Sequence, residues 1–164
     1  HCDSACILPR RGVTIMTAAG GVRGSCLCGA VAFEVGFPSA WCAHCHCSMC
    51  RRAHGAAYVT WFGAARERFK ITSGEASLVR FQSSEHGSRS FCGRCGSTLF
   101  CELDEHPGIV DVVLANITGA LDRRPQMHVF FSDRAGWENV GCDGLPRLGG
   151  ATGFEPLAED DPFA

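Results

Sequence analysis

The chain has 164 residues, 46% of them hydrophobic and 20% charged, with a formal charge of −2 at pH 7. That length suits one domain with a proper core, and the mixture excludes global disorder. No run approaches the roughly 20 apolar residues of a membrane span, no secretory signal is expected at the start, and the acidic balance exerts no general pull on nucleic acid.

In chain order, residues 1–21 read as a disordered or expression-derived lead, with Met16 as a plausible natural start and Cys2 and Cys6 discounted as ligands. Strands are expected at Ala30–Val35, at Ala57–Phe62 from its β-branched and aromatic content, and at Arg68–Thr72 before the Ser73-Gly74 turn. Leu78–Gln82, Gly87–Phe91, Ser97–Leu103, Gly108–Leu114 and Met127–Phe131 follow as further strands. Helical patterning is scarce: Cys47–His54 and Asp133–Glu138 each suit a turn or two. Beyond Gly144 the chain turns Gly- and Pro-rich and then acidic, as a surface segment would. The expected architecture is one mostly β domain of antiparallel strands over residues 22–148, with little helix and an acidic C-terminal tail over 149–164.

Twelve cysteines carry the chemistry, and seven of them form three clusters. Cys26-Leu27-Cys28-Gly29 supplies two sulfurs, Cys45-His46-Cys47-Ser48-Met49-Cys50 three, and Cys92-Gly93-Arg94-Cys95-Gly96 two. Zinc takes four protein ligands in a closed structural site and three in an open catalytic one. The partition that fits is one four-thiolate site and one three-thiolate site. Disulfides are the competing reading. A secreted disulfide scaffold is usually shorter and carries an export signal, and a Cys-x-Cys pair does not readily bridge to itself. Metal is therefore favoured, and a reducing cytoplasm with it.

Cys26, Cys28, Cys92 and Cys95 are assigned to one tetrahedral zinc. Glycine follows Cys28, Cys92 and Cys95, and such turns use positive φ to aim backbone N–H groups at sulfur. A redox Cys-x-x-Cys is the alternative, but no βαβ pattern surrounds it. Cys45, Cys47 and Cys50 would leave one position on their metal for water or substrate, and a thiol suits it because zinc is thiophilic. Alternatively Cys42, His44, His46 or Cys101 closes that site. His46, between two ligands, would point away from the metal. Fourteen of the fifteen basic residues are arginine, and eight basic against three acidic residues lie between His44 and Arg94. Arg51 could hold a substrate carboxylate, with Arg89 and Arg94 as further candidates. Tyr58, Trp61 and Phe62 read as core.

These motifs, with Pro125 and His128, Trp137, and Leu145-Pro146, resemble the glutathione-dependent formaldehyde-activating family, which includes centromere protein V, over residues 23–147. The resemblance implies a β-tent fold with two Zn2+ per chain and the same division of ligands. It implies a carbon–sulfur lyase that joins formaldehyde to glutathione as S-hydroxymethylglutathione. The partners it implies are a small thiol and a small aldehyde. A thiol-binding module without turnover and a purely structural zinc domain are the alternatives. Cys42, Cys101 and the long lead depart from the family pattern.

Overall fold

A computed structural model describes residues 20–157. The expected lead up to residue 19, with Met16, Cys2 and Cys6, and the end of the acidic tail lie outside the described residues. Two antiparallel sheets form the body. The smaller comprises β1 (Gly21–Ser25), β2 (Ala32–Gly36), β5 (Phe69–Ser73) and β10 (Ile117–Thr118), in the order β10-β1-β2-β5. The larger is built from β3 (Trp41–Cys45), β4 (Val59–Ala65), β6 (Leu78–Ser84), β7 (Gly87–Cys92), β8 (Thr98–Leu103), β9 (Ile109–Val113) and β11 (His128–Val129). Its order is β11-β3-β4-β9-β8-β7-β6. A short hairpin, β12 (Leu148–Gly149) with β13 (Glu155–Pro156), and a seven-residue helix, α1 (Ser48–His54), complete the regular structure.

The mostly β expectation holds, with one departure from antiparallel order: β11 runs parallel to β3, with His128 beside His44 and Val129 beside Cys45. The expected five-residue strand there shrinks to two residues because Phe130 adopts a left-handed conformation at φ 53°. Five strands were not expected: the two-residue β10, β12 and β13, and the longer β1 and β3. β1 hides behind Gly21, Gly24 and Arg23, which are poor strand formers. It is held by pairing with β2 over its whole length, and Gly24 leaves room for the Phe33 ring that covers it. β3 lies inside the run Trp-Cys-Ala-His-Cys, whose ligand residues mask its strand character.

Alternation of side chains along each strand gives the larger sheet two buried faces. One packs on the smaller sheet: Val22, Phe33 and Val35 meet Cys42, Phe62, Phe100, Val110 and Val112. The Phe33 and Phe69 rings stand edge-on to Phe100, with centroids 5.0 and 4.9 Å away. Each fully buried ring of this kind contributes on the order of 1.5–3 kcal/mol. The opposite face gathers Ala43, Cys45, Trp61, Cys101 and Val113 from the sheet, Cys50 from α1 and Val129 from β11. Trp61 and Phe62 are core residues on opposite faces, as expected of neighbours on one strand; Tyr58 is exposed instead. Among the described residues no helix is long and apolar enough to cross a membrane.

Candidate metal centres

The turns β1–β2 and β7–β8 bring the first and third clusters together. The sulfurs of Cys26, Cys28, Cys92 and Cys95 all lie within 4.8 Å of one another. Cys26 Sγ is 3.6 Å from Cys28 Sγ, and Cys28 Sγ is 3.9 Å from Cys92 Sγ. Sulfurs around one tetrahedral zinc stand about 3.8 Å apart, given its zinc–sulfur bond length. The donor set and its spacing therefore fit a tetrahedral thiolate-bound metal.

Both turns are built alike. In the first, Cys26 N–H donates to Val31 O (3.0 Å), Gly29 N–H to Cys26 O (3.0 Å), and Val31 N–H to Cys26 Sγ (3.3 Å). In the second, Cys92 N–H donates to Ser97 O (2.9 Å) and Gly96 N–H to Cys92 O (2.8 Å). Gly29 and Gly96 occupy matching positions at φ 73° and 75°, where a side chain is disfavoured. Gly93 keeps an ordinary φ, contrary to expectation; a Cβ there would crowd Val79 Cγ2 at 2.9 Å. Ser97 joins the turns, accepting from Leu27 N–H at 3.0 Å and lying 3.3 Å from Cys95 Sγ. Its hydroxyl, aided by backbone N–H groups, draws the Cys95 thiol down to about 5.

The second cluster is formed by one short segment. Cys45 ends β3, Cys47 caps α1, and Cys50 occupies its first turn. Cys47 Sγ accepts from Cys50 N–H at 3.3 Å, satisfying a helix-terminal donor. Gly55, in a left-handed conformation, closes the helix by donating to Arg51 O. These three sulfurs also lie within 4.8 Å of one another, so they too could hold a metal ion. Cys45 and Cys50 are buried and Cys47 is half-buried.

Side chains from the larger sheet are aimed at this cluster. Trp61 Nε1 donates to Cys50 Sγ at 3.4 Å, and Arg89 Nη2 does so at 3.5 Å. The Arg89 guanidinium lies 5.8 Å from the Trp61 ring centre. Cys50 is held well below the usual thiol range, first by the Cys45 and Cys47 thiols and then by Arg89 and Trp61; Cys45 is pushed up as their donor. Two strands beyond Arg89, burial and the Cys50 thiolate raise Asp111 to about 7.

None of the four residues weighed as a closing ligand joins the three sulfurs. Cys42 lies on the other face of β3, in the core between the sheets, where burial lifts its thiol to about 11. Cys101 shares the face of the cluster but belongs to neither sulfur group, and burial raises it to about 12. His44 Nδ1 pairs with Thr60 Oγ1 at 2.8 Å. His46 Nε2 is 2.9 Å from His128 Nδ1, and His128 Nε2 is 2.9 Å from Asp143 Oδ2.

This Asp143–His128–His46 chain escaped the sequence reading, because 82 and 15 residues separate its members. The parallel β11–β3 pairing brings His46 beside His128, and the segment before β12 supplies Asp143. Burial takes His46 down to about 4. Arg51 donates through Nε to His46 O at 3.2 Å and lies 5.8 Å from the centre of the Trp137 ring. Arg94 is exposed in the Cys92–Cys95 turn. Arg89, an expected further candidate, is the arginine that touches a cluster sulfur.

Comparison with known proteins identifies the family. The family model described as glutathione-dependent formaldehyde-activating enzyme matches residues 21–133. A Halomonas elongata protein with the provisional name glutathione-dependent formaldehyde-activating enzyme is 28% identical over 127 residues, covering 73% of this chain and 80% of that one. A Rhodobacter sphaeroides protein of known crystal structure, a structural-genomics target, superposes with a TM-score of 0.52 at 29% identity, covering 59% of this chain and 88% of its own. The matched segment contains all seven clustered cysteines and both sheets' principal strands, and on this evidence the chain belongs to the glutathione-dependent formaldehyde-activating enzyme family.

Proposed function

We propose that the protein is a zinc-dependent carbon–sulfur lyase that adds a small thiol such as glutathione to a small aldehyde such as formaldehyde. In the forward direction the thiol sulfur bonds to the carbonyl carbon, and the thiol proton ends on the former carbonyl oxygen. Nothing is oxidised or reduced. The observation that carries the reading is the three-sulfur cluster, which no fourth ligand among the described residues completes.

Cys26, Cys28, Cys92 and Cys95 would hold a structural zinc, and Cys45, Cys47 and Cys50 the catalytic one. When bound at three sulfurs, zinc supplies Lewis acidity and stabilises a thiolate in its remaining position. The chain's own contribution is orientation. Trp61 and Arg89 fix Cys50 from the sheet side, while the Cys50 N–H fixes Cys47. Arg51, anchored by Nε alone among its nitrogens, keeps others to meet a substrate carboxylate. A reducing compartment such as the cytoplasm would keep seven clustered thiols competent for metal.

Consumption of glutathione and formaldehyde, measured against the unaided reaction, tests the proposal. Wild type should exceed the background and Cys47→Ser should match it. Equal rates for both proteins, at background, would refute the enzyme. Saturable glutathione binding without acceleration would instead identify a thiol-binding module.

A further inference from the structure

We propose that the cleft between α1 and the β6–β7–β8 edge is an anion-recognising seat for the carboxylate-bearing part of an acidic thiol, with Arg89 as its charged floor. The inference rests on the thiol reading above and extends it to how one class of thiol is chosen. The cleft encloses about 570 Å³ and is lined by Met49, Arg52, Phe81, Arg89, Phe91 and Thr98 among others. Thr98 Oγ1 donates to Ala53 O at 3.1 Å and so ties the end of α1 to the start of β8, which sets the width of the cleft.

Arg89 is the unusual element. It is only 8% exposed, yet two of its three guanidinium nitrogens, Nε and Nη1, have no hydrogen-bond partner among the described residues. Its third nitrogen faces Cys50 Sγ. A buried cation with unused donors is costly to the fold unless something supplies the missing acceptors. Among the described residues no carboxylate forms an ion pair with it; Asp111 is separated from it by Cys101 on the intervening strand. Arg89 lines the cleft, so a carboxylate seated there would supply an acceptor to this under-partnered cation.

The walls suit the rest of such a molecule. Phe81 and Met49 are 62% and 41% exposed, large apolar surfaces left open beside a cation. Arg52, exposed on the rim, would add a second positive charge. Because Arg89 touches a cluster sulfur, an anion seated on it lies a short chain of bonds from the three-sulfur site. A thiol lacking carboxylates would reach the same sulfurs without using the cleft.

The experiment compares three small molecules on the zinc-loaded protein. S-methylglutathione keeps both carboxylates but has no thiol, cysteamine keeps the thiol without carboxylates, and glutathione has both. Wild type should bind S-methylglutathione in calorimetry, and glutathione should displace it. Arg89→Met should weaken that binding about tenfold or more, the loss expected for a charged hydrogen bond. It should raise the glutathione KM in parallel and about tenfold more than the cysteamine KM, the ratio of the two separating the seat from the hold that Arg89 has on Cys50. The paired surface variant Arg52→Ser/Phe81→Ser, away from the core, should shift glutathione over cysteamine in the same direction, and carries the test if Arg89→Met does not fold.

Failure of wild type to bind S-methylglutathione would overturn the inference, as would variants that shift both thiols equally. If no thiol is turned over but S-methylglutathione binds and Arg89→Met abolishes it, the seat stands and the enzymatic reading falls.

Discussion

The two sulfur clusters are built by opposite strategies. The four-sulfur cluster joins turns 64 residues apart, as the Cys28–Cys92 pair shows, and its sulfurs extend to the surface, with Cys28 exposed. The three-sulfur cluster comes from six consecutive residues and is gripped by the sheet beneath it through Trp61 and Arg89. In the first, a metal would tie together two turns that are otherwise joined by the Leu27–Ser97 hydrogen bond and by packing between the sheets. In the second, a strand end, a helix cap and a helical turn already shape the ligands. A site that holds the fold together and a site that the fold holds together should respond differently to the same insult.

The most severe test of that contrast is Cys92→Ser. Cys92 is fully buried between β7 and β8, and structural zinc contributes on the order of 10 kcal/mol or more to small domains, comparable to total stability. The variant should lose its cooperative thermal transition and its solubility, as should wild type after exhaustive chelation. Retention of a normal melting curve would erase the distinction. Next is Cys47→Ser, which should keep the melting transition within a few degrees while zinc content falls from two to one per chain. Activity should drop at least about 100-fold. Elemental analysis beside circular dichroism separates the two outcomes.

A smaller effect is expected from His46. Burial holds its pKa at about 4, below the usual 6.5. Protonation therefore favours the unfolded chain: the stability contribution is intact above pH 6.5 and disappears as pH falls toward 4. The loss amounts to about 3 kcal/mol over that window. His46→Gln should flatten the decline in chemical-denaturation stability relative to wild type, with metal loss common to both proteins. A parallel decline would show that His46 is not its source. The mildest expected change is Cys42→Ala, which should cost about 1 kcal/mol through lost packing and leave two zinc ions and full activity. Loss of one zinc would place Cys42 at the second site and close it.

Spacing alone identified the cysteine groups, because zinc ligands must come in small numbers with short loops between partners. It also found seven of the nine longer strands from local composition, with ends that move by no more than three residues: Ala57–Phe62 became Val59–Ala65, for instance. β1 and β3 were illegible for the reasons their sequences make plain, glycine in one and ligand residues in the other. The helical turn expected at Asp133–Glu138 lies earlier, at Phe131–Asp133, where Phe130 has already bent the chain.

Which sulfurs exist, and how many each turn can present, follows from the order of residues, since a ligand pair two or three positions apart is a local property. Which face of β3 each cysteine occupies required the strand itself. Cys42 and Cys45 are three residues apart, so the pleat sends one into the core between the sheets and the other to the metal-competent face. The convergence of Arg89, Trp61 and the Asp143–His128–His46 chain is likewise a product of strand pairing. Their separations in sequence are set by sheet topology, and no local pattern encodes them.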